Sequence, residues 1–322
     1  MRPAPSGSPA ARRGQLGDEL RSTAGSRYGG IDALRHLFAV WVIILHSWSA
    51  SRYPSEMRQG YEALTEMVGG AVFGFFLITG FFLRPRDDFR RYSADKARRL
   101  IVPYLLFSAI YGVAAIVLHG QPVLPLFIKT LILSGTSMQL YFLPYLFLAD
   151  VGAVALFSWV VVPSKLAVFG LLALATALAL AFPTPHSTGP GPQLMVFYVV
   201  GLLAGMLIAR GGAGISLALC GAATVLGVSV DPRFLDAGLV IVLFAIFRIF
   251  SGLFPPQLPG SGAVYLLHTP VLNFAVSTAL LSIGIGSWWN LGTTVALTCV
   301  ICVAFAVALV SYAPSLRKLL LE

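Results

Sequence analysis

The sequence predicts an all-α fold: a polytopic transmembrane helical bundle of about ten spans with both termini in the cytoplasm. Three observations carry this prediction. The chain of 322 residues is 57% hydrophobic and only 11% charged, with a mean hydropathy of +0.83, far above what a water-soluble domain needs. Apolar runs of about 17–25 residues recur from residue 33 to the end, each long enough to cross a bilayer as a helix. The runs do not alternate with period two, so a β-barrel is excluded. Helices close their own backbone hydrogen bonds and are the form that remains.

Taken in order, the spans are expected at about 33–50, 66–83, 100–118, 139–162, 165–182, 193–209, 213–230, 234–251, 262–284 and 291–313. The stretch VLPLFIKTLILSG (123–135) is apolar but short and interrupted by Lys129, which fits an interfacial or re-entrant piece. Residues 1–28 are rich in Ala, Ser, Gly, Pro and Arg and lack an apolar core, so they read as a disordered basic tail rather than a signal peptide. The transmembrane domain is then 29–316, and 317–322 form a short cytoplasmic tail.

The formal charge of +9 invites a nucleic-acid partner, but its distribution argues for topology instead. With the N-terminus inside, eighteen basic residues fall on the cytoplasmic side, seven of them in RPRDDFRRYSADKARR (84–99), against Arg52, Arg58, Lys129 and Arg233 outside. Nucleic acid is therefore not expected as a partner; membrane lipids are. Arginine outnumbers lysine 18 to 4, in keeping with a GC-rich bacterial genome. Cys220, Cys299 and Cys302 lie inside apolar runs without zinc-site spacing, so they are expected to be small core residues, and no metal is expected.

Polar residues inside such runs are costly and usually face a cavity or a partner. IDALRHLFAVWVIILHS (31–47) holds Asp32, Arg35 and His46. Eleven helical steps separate Arg35 from His46, about three turns plus roughly 20°, so the two lie on one stripe about 16 Å apart along the axis. Asp32 falls near the same stripe, whereas His36 points about 100° away. In the expected orientation Asp32 and Arg35 sit near the inner headgroups and His46 past the midplane. VFGFFLITGFFLRPR (72–86) carries Thr79 and Gly80 among aromatics; Gly80 also suits close helix packing, as do Gly201 and Gly205 in GLLAG. DKARRLIVPYLLFS (95–108) puts Arg98 and Arg99 before a proline, QLYFLPYLFLAD (139–150) places Tyr141 and Tyr145 around Pro144, and AVYLLHTPVL (263–272) puts His268 in a late span. Asp150 is expected to line a cavity or meet a positive group. Asp236 and Arg248 are twelve steps apart, about 120° out of register, and are not expected to pair. His119 and His186 fall in external connections.

In order, DALRHLFAVWVIILH, FFLITGFFL, RRLIVP and YLLHTPV resemble the hallmark stretches of the acyltransferase-3 family of integral-membrane O-acyltransferases. The resemblance runs from about residue 28 to 313. It rests on Arg35 and His46 on the first helix, on Thr79, Gly80 and Phe81, and on Arg99 and Pro103. The family's serine-glycine is Thr79-Gly80 here, and Leu267 stands where a tryptophan often precedes the late histidine. No fused extracytoplasmic domain is expected, which is the stand-alone type.

The resemblance implies transfer of an acyl group, most often acetyl, from cytoplasmic acyl-CoA to a hydroxyl of a carbohydrate-containing acceptor, in the inner membrane and with no bound cofactor. On that footing Arg91, Lys96, Arg98 and Arg99, with Arg84, Arg86 and Arg90 nearby, would hold the donor's phosphates. Arg35, steadied by Asp32, would receive the phosphate or pantetheine end, and an acyl arm lying in a polar slot would bring its carbonyl to His46, the general base. Thr79, Gly80, Tyr141 and His268 are candidates for the acceptor's cavity. An acyl-enzyme is the alternative mechanism, with Ser47, Tyr141 or Tyr145 as possible neighbours of His46. The alternative functions are a transporter or flippase for a lipid-linked sugar and a noncatalytic sensor.

Overall fold

A computed structural model describes residues 28–47, 53–84, 88–131, 135–137, 139–158, 164–182, 192–254, 261–268 and 272–312. The tail 1–27, the C-terminal 313–322, Arg52, Arg86, His186 and the side chain of His119 lie outside the described residues. What is described is helical, with no strand. The helices are α1 (Gly29–Leu45), α2 (Arg58–Val68), α3 (Ala71–Phe82), α4 (Phe89–His119), α5 (Val123–Leu131), α6 (Phe142–Ser158), α7 (Lys165–Ala181), α8 (Pro192–Ser229), α9 (Arg233–Ile249), α10 (Ser261–Leu267), α11 (Asn273–Ser282) and α12 (Ser287–Tyr312).

Four stretches are long and apolar enough to cross a membrane among the described residues: Ser55–Phe82, Phe89–Val117, Leu194–Ser229 and Ser287–Leu309. The outward faces agree. Along α4, Val102, Leu105, Ile110, Val113 and Val117 are exposed, as are Val300, Ile301, Phe305 and Val307 on α12. Such a continuous apolar exterior is what lipid, not water, solvates.

At the centre stands α3, buried along most of its length. Its backbone meets α8 directly: a Cβ at Gly80 would lie 1.9 Å from the carbonyl oxygen of Leu202, and one at Gly205 would lie 2.0 Å from that of Leu77. Glycines let two helices approach where lipid supplies no hydrophobic drive for association. Around this contact Phe38, Phe73, Phe76, Phe81, Phe142, Tyr198 and Phe244 form one aromatic core.

Three elements differ from the sequence-based expectation. The basic stretch expected to be a connection is helical from Phe89, so the third span begins well before Pro103; Asp88 caps it by accepting a hydrogen bond from the Arg91 N–H at 2.9 Å. The second span is divided, with α2 ending at Val68 and α3 starting at Ala71 after a Gly-Gly pair. The sixth and seventh spans are read together as α8, broken at Gly212 (φ +68°, ψ −150°). A straight helix of that length would run about 57 Å, well beyond a bilayer's apolar thickness.

The ninth span is described on either side of residues 269–271, as α10 and α11. Residue 270 is proline, which has no N–H for the Leu266 carbonyl four residues earlier. That carbonyl instead accepts a hydrogen bond from the Tyr111 hydroxyl of α4 at 2.5 Å. The three cysteines are free; Cys302 is buried and packed against Ala39, Ile43 and Val264, as expected of a core residue, whereas Cys220 and Cys299 are half-buried.

Candidate active site

Helix α1 carries the first functional residues. Ile31, Leu34, Phe38, Ala39, Val42 and Ile43 are buried and fix its rotation in the bundle. On its flank the Arg35 guanidinium donates to Asp32 Oδ1 at 3.0 Å and lies 5.7 Å from the centre of the Phe82 ring. The helix ends at Leu45, with His46 in the capping position. The Tyr61 hydroxyl donates to the carbonyls of Ile44 and Leu45 at 2.7 and 3.0 Å, and the Ser47 hydroxyl to that of Ile43 at 2.6 Å. Carbonyls that a helix end would leave orphaned are thus satisfied, and His46 is held at a defined height.

Arg35 opens onto a cavity of about 780 Å3 walled by α1, α3, α4, α6 and α10. From α4 come Arg91, Tyr92, Asp95, Lys96, Arg99 and Leu100, spaced three and four apart so that one helix face supplies them all. Arg84 and Asp88 precede that helix and line the cavity too. Five cations (Arg35, Arg84, Arg91, Lys96, Arg99) thus face three carboxylates (Asp88, Asp95, Asp150), an excess of positive charge. Asp150 is fully buried on α6, where it accepts a hydrogen bond from the Tyr92 hydroxyl at 2.6 Å and forms an ion pair with Lys96. This contact pins the start of α4 to α6.

Of the residues singled out from sequence, Arg35, Thr79, Arg91, Lys96 and Arg99 line the cavity, and Asp32 braces Arg35. Arg98 is exposed and does not line it, because one residue along a helix turns the side chain by about 100°. Gly80 belongs to the α3–α8 crossing rather than to the cavity. Tyr141 meets Tyr198, hydroxyl to hydroxyl at 3.0 Å, and packs edge-on against Tyr145. Asp236 and Arg248 do not form an ion pair; Arg248 lies over the Phe81 ring instead. Asp150 combines both expected roles.

His268 is the residue that the fold adds most to. Its ring centre lies 5.5 Å from that of His46, although 222 positions separate them, the difference between residue numbers 268 and 46. It is fully buried, with Nδ1 2.9 Å from the Val264 carbonyl and 3.0 Å from that of Tyr265. Only a protonated nitrogen is stabilised between two carbonyls, so Nδ1 carries the hydrogen and Nε2 a lone pair.

The open slot expected between Arg35 and His46 does not appear among the described residues. Phe75, Phe142 and Tyr265, three rings packed at 4.9–6.3 Å between centres, line the cavity, and neither His46 nor His268 does. Tyr265 bridges the two regions: it borders the cavity, and its ring lies 6.4 Å from that of His268. Its hydroxyl donates to the backbone carbonyl of Gln139. Sequence reasoning passed over Tyr265, Tyr92 and Asp95. The signal available was spacing, since Tyr265 lies one turn before His268, and Tyr92, Asp95 and Arg99 share a helical stripe.

Residues 28–313 match the family model of the acyltransferase-3 family, described as an acyltransferase domain. The chain belongs to this family. It is a membrane-embedded enzyme that transfers acyl groups. No curated protein and no solved structure matches the chain. In this acyltransferase the matched region takes in every site residue described above, from Asp32 to His268.

Proposed function

We propose that the protein is a multi-pass inner-membrane O-acyltransferase that moves an acyl group, most often acetyl, from cytoplasmic acyl-CoA to a hydroxyl of a carbohydrate-containing acceptor. The observation that carries this reading is the polarity of the site. Cations gather at the cavity beside Arg35, and imidazoles gather at the far end of the same helix. A donor with a diphosphate and a phosphate is drawn to the first region, where planar guanidinium groups bind phosphate oxygens in pairs. An alcohol is a poor nucleophile at neutral pH and needs a base that removes its proton as it attacks, which imidazole provides.

In the proposed reaction His46 is the general base. The acceptor oxygen forms a bond to the thioester carbonyl carbon while its proton passes to His46. The tetrahedral intermediate then collapses, the carbon–sulfur bond breaks, and the proton on His46 passes to the departing thiolate to give free CoA. The aromatic wall of Phe75, Phe142 and Tyr265 has to turn for the acyl carbonyl to reach the imidazole. Direct transfer is favoured over an acyl-enzyme because the Ser47 hydroxyl donates to the Ile43 carbonyl rather than to His46.

Purified enzyme in lipid nanodiscs, given acetyl-CoA labelled in the acetyl group and a glycan extract of its own cell envelope, is expected to esterify the glycan. His46→Ala, folded by size-exclusion chromatography, is expected to lower the rate by about 10²–10⁴-fold. Transfer at the normal rate by that variant would remove His46 from the chemistry. Absence of acyl-CoA dependence in the wild type would remove the donor assignment.

A further inference from the structure

Buried polar groups without partners are rare in native proteins, and each one asks what completes it. Two such groups lie near the end of α1, one on the ring facing His46 and one on the side chain bonded to Ser47. The first is His268 Nε2, buried with no hydrogen-bond partner among the described residues. Its ring is held through Nδ1 by the carbonyls of its own helix, so Nε2, on the opposite edge, faces away from that helix and is restricted to accepting a hydrogen bond.

The second is Asn273 Oδ1 on α11, also buried and unpartnered among the described residues. The chemistry of its neighbour fixes which way this amide is turned. Ser47 spends its one proton on the Ile43 carbonyl at 2.6 Å, so toward Asn273 it can only accept. The Asn273 amide nitrogen therefore faces Ser47, at 3.3 Å, and the amide oxygen faces the other way. Ser47 follows His46 directly, and His268 lies across from it.

Both orphans are acceptors, and both are fixed by bonds that leave them no other role. A ligand that satisfies them brings hydrogen-bond donors, and it brings at least one beyond the proton that His46 removes. We infer that His268 and Asn273 are positioning residues for the acceptor: each takes a hydrogen bond from a different hydroxyl neighbouring the one acylated, so a run of three adjacent hydroxyls is selected over a single alcohol. This inference rests on the O-acyl transfer proposed above. It gives His268 a task distinct from that of His46. His46 takes the reacting proton, while His268 holds a spectator hydroxyl and sets the angle at which its neighbour meets the carbonyl. The bond to His268 costs the protein nothing in reorganisation, since the ring is already oriented.

The test uses full-length enzyme in nanodiscs with acetyl-CoA and two probes, cyclohexane-1,2,3-triol and cyclohexanol, with the acetyl esters measured by mass spectrometry. The wild type is expected to prefer the triol in kcat/KM by about tenfold or more, the value of at least one well-formed hydrogen bond. His268→Phe keeps the ring and removes the lone pair; it is expected to lower the ratio severalfold, chiefly through the triol's KM, with the KM for acetyl-CoA within about twofold. His268→Gln, whose amide reaches the position of Nε2, is expected to restore most of the preference. Asn273→Leu provides the second, independent loss, with Asn273→Asp as its rescue. A wild type that esterifies both probes equally well, or a preference that survives both His268→Phe and Asn273→Leu, overturns the inference and leaves acyl transfer standing; ordered water would then complete the two groups. A wild type that esterifies neither probe nor its own glycans overturns the acyl-transfer proposal, and this inference with it.

Discussion

Arg35 and Asp32 offer a quantitative test because the structure makes one act through the other. The guanidinium lines the cavity, whereas the carboxylate reaches the donor's region through its 3.0 Å bond to that guanidinium. The side chains are 39% and 18% exposed, so water screens the pair substantially and its worth is about 1 kcal/mol. Asp32→Asn removes the charge at constant size and is expected to raise the KM for acetyl-CoA about fivefold. Arg35→Ala removes the group that would touch the donor. A charge-assisted hydrogen bond is worth about 1.5–3 kcal/mol, so the expected rise is about 10- to 100-fold. The decisive measurement is the double variant. If Asp32 works only by steadying Arg35, the double variant matches Arg35→Ala alone and the two effects do not multiply. Initial rates against acetyl-CoA concentration, for all four proteins in nanodiscs, give the cycle. Effects that multiply would show that Asp32 acts on the donor or the fold by another route and would refute the bracing role.

Two further outcomes separate neighbouring explanations. Arg99→Glu is expected to raise the KM for acetyl-CoA by tenfold or more while Arg98→Glu stays within about twofold, since Arg99 lines the cavity and Arg98 does not; equal effects would mean that the basic surface attracts the donor without a defined site. Asp150→Leu, which leaves the Lys96 ammonium facing an apolar wall, is expected to destabilise the protein by about 2–4 kcal/mol, and Asp150→Leu with Lys96→Met to recover most of it; thermal unfolding in detergent followed by fluorescence reads both, and no recovery in the double variant would assign the loss to Tyr92 instead.

The two kinds of information in the sequence carried different distances. Apolar length and charge asymmetry gave the all-α membrane class, because lipid imposes that rule one segment at a time. Helical arithmetic put Arg35 and His46 on one helix, and the small residues of GLLAG marked a close crossing. What stayed hidden is non-local or depends on a single cap. No periodicity shows that Tyr265 would wedge against Phe75 and Phe142, or that His46 would meet His268. The start of α4 turned on one side chain, Asp88, in a stretch whose charge made it look like a surface connection. Gly80 was ambiguous on its own: a small residue suits a crossing as well as a cavity, and only the distance to the Leu202 carbonyl decides between them.

The bond from the Tyr111 hydroxyl to the Leu266 carbonyl has a mechanical consequence. Tyr111 sits on α4 about three turns beyond Arg99, the last cation of the stripe, and Leu266 lies two residues before His268. A tilt or slide of α4 is therefore felt directly by the short helix that carries the second imidazole. The tether joins the cation-lined cavity to the paired imidazoles through one helix and one hydroxyl. On the proposed reading, occupancy of the cavity would then be registered at the imidazoles without any movement of the first helix.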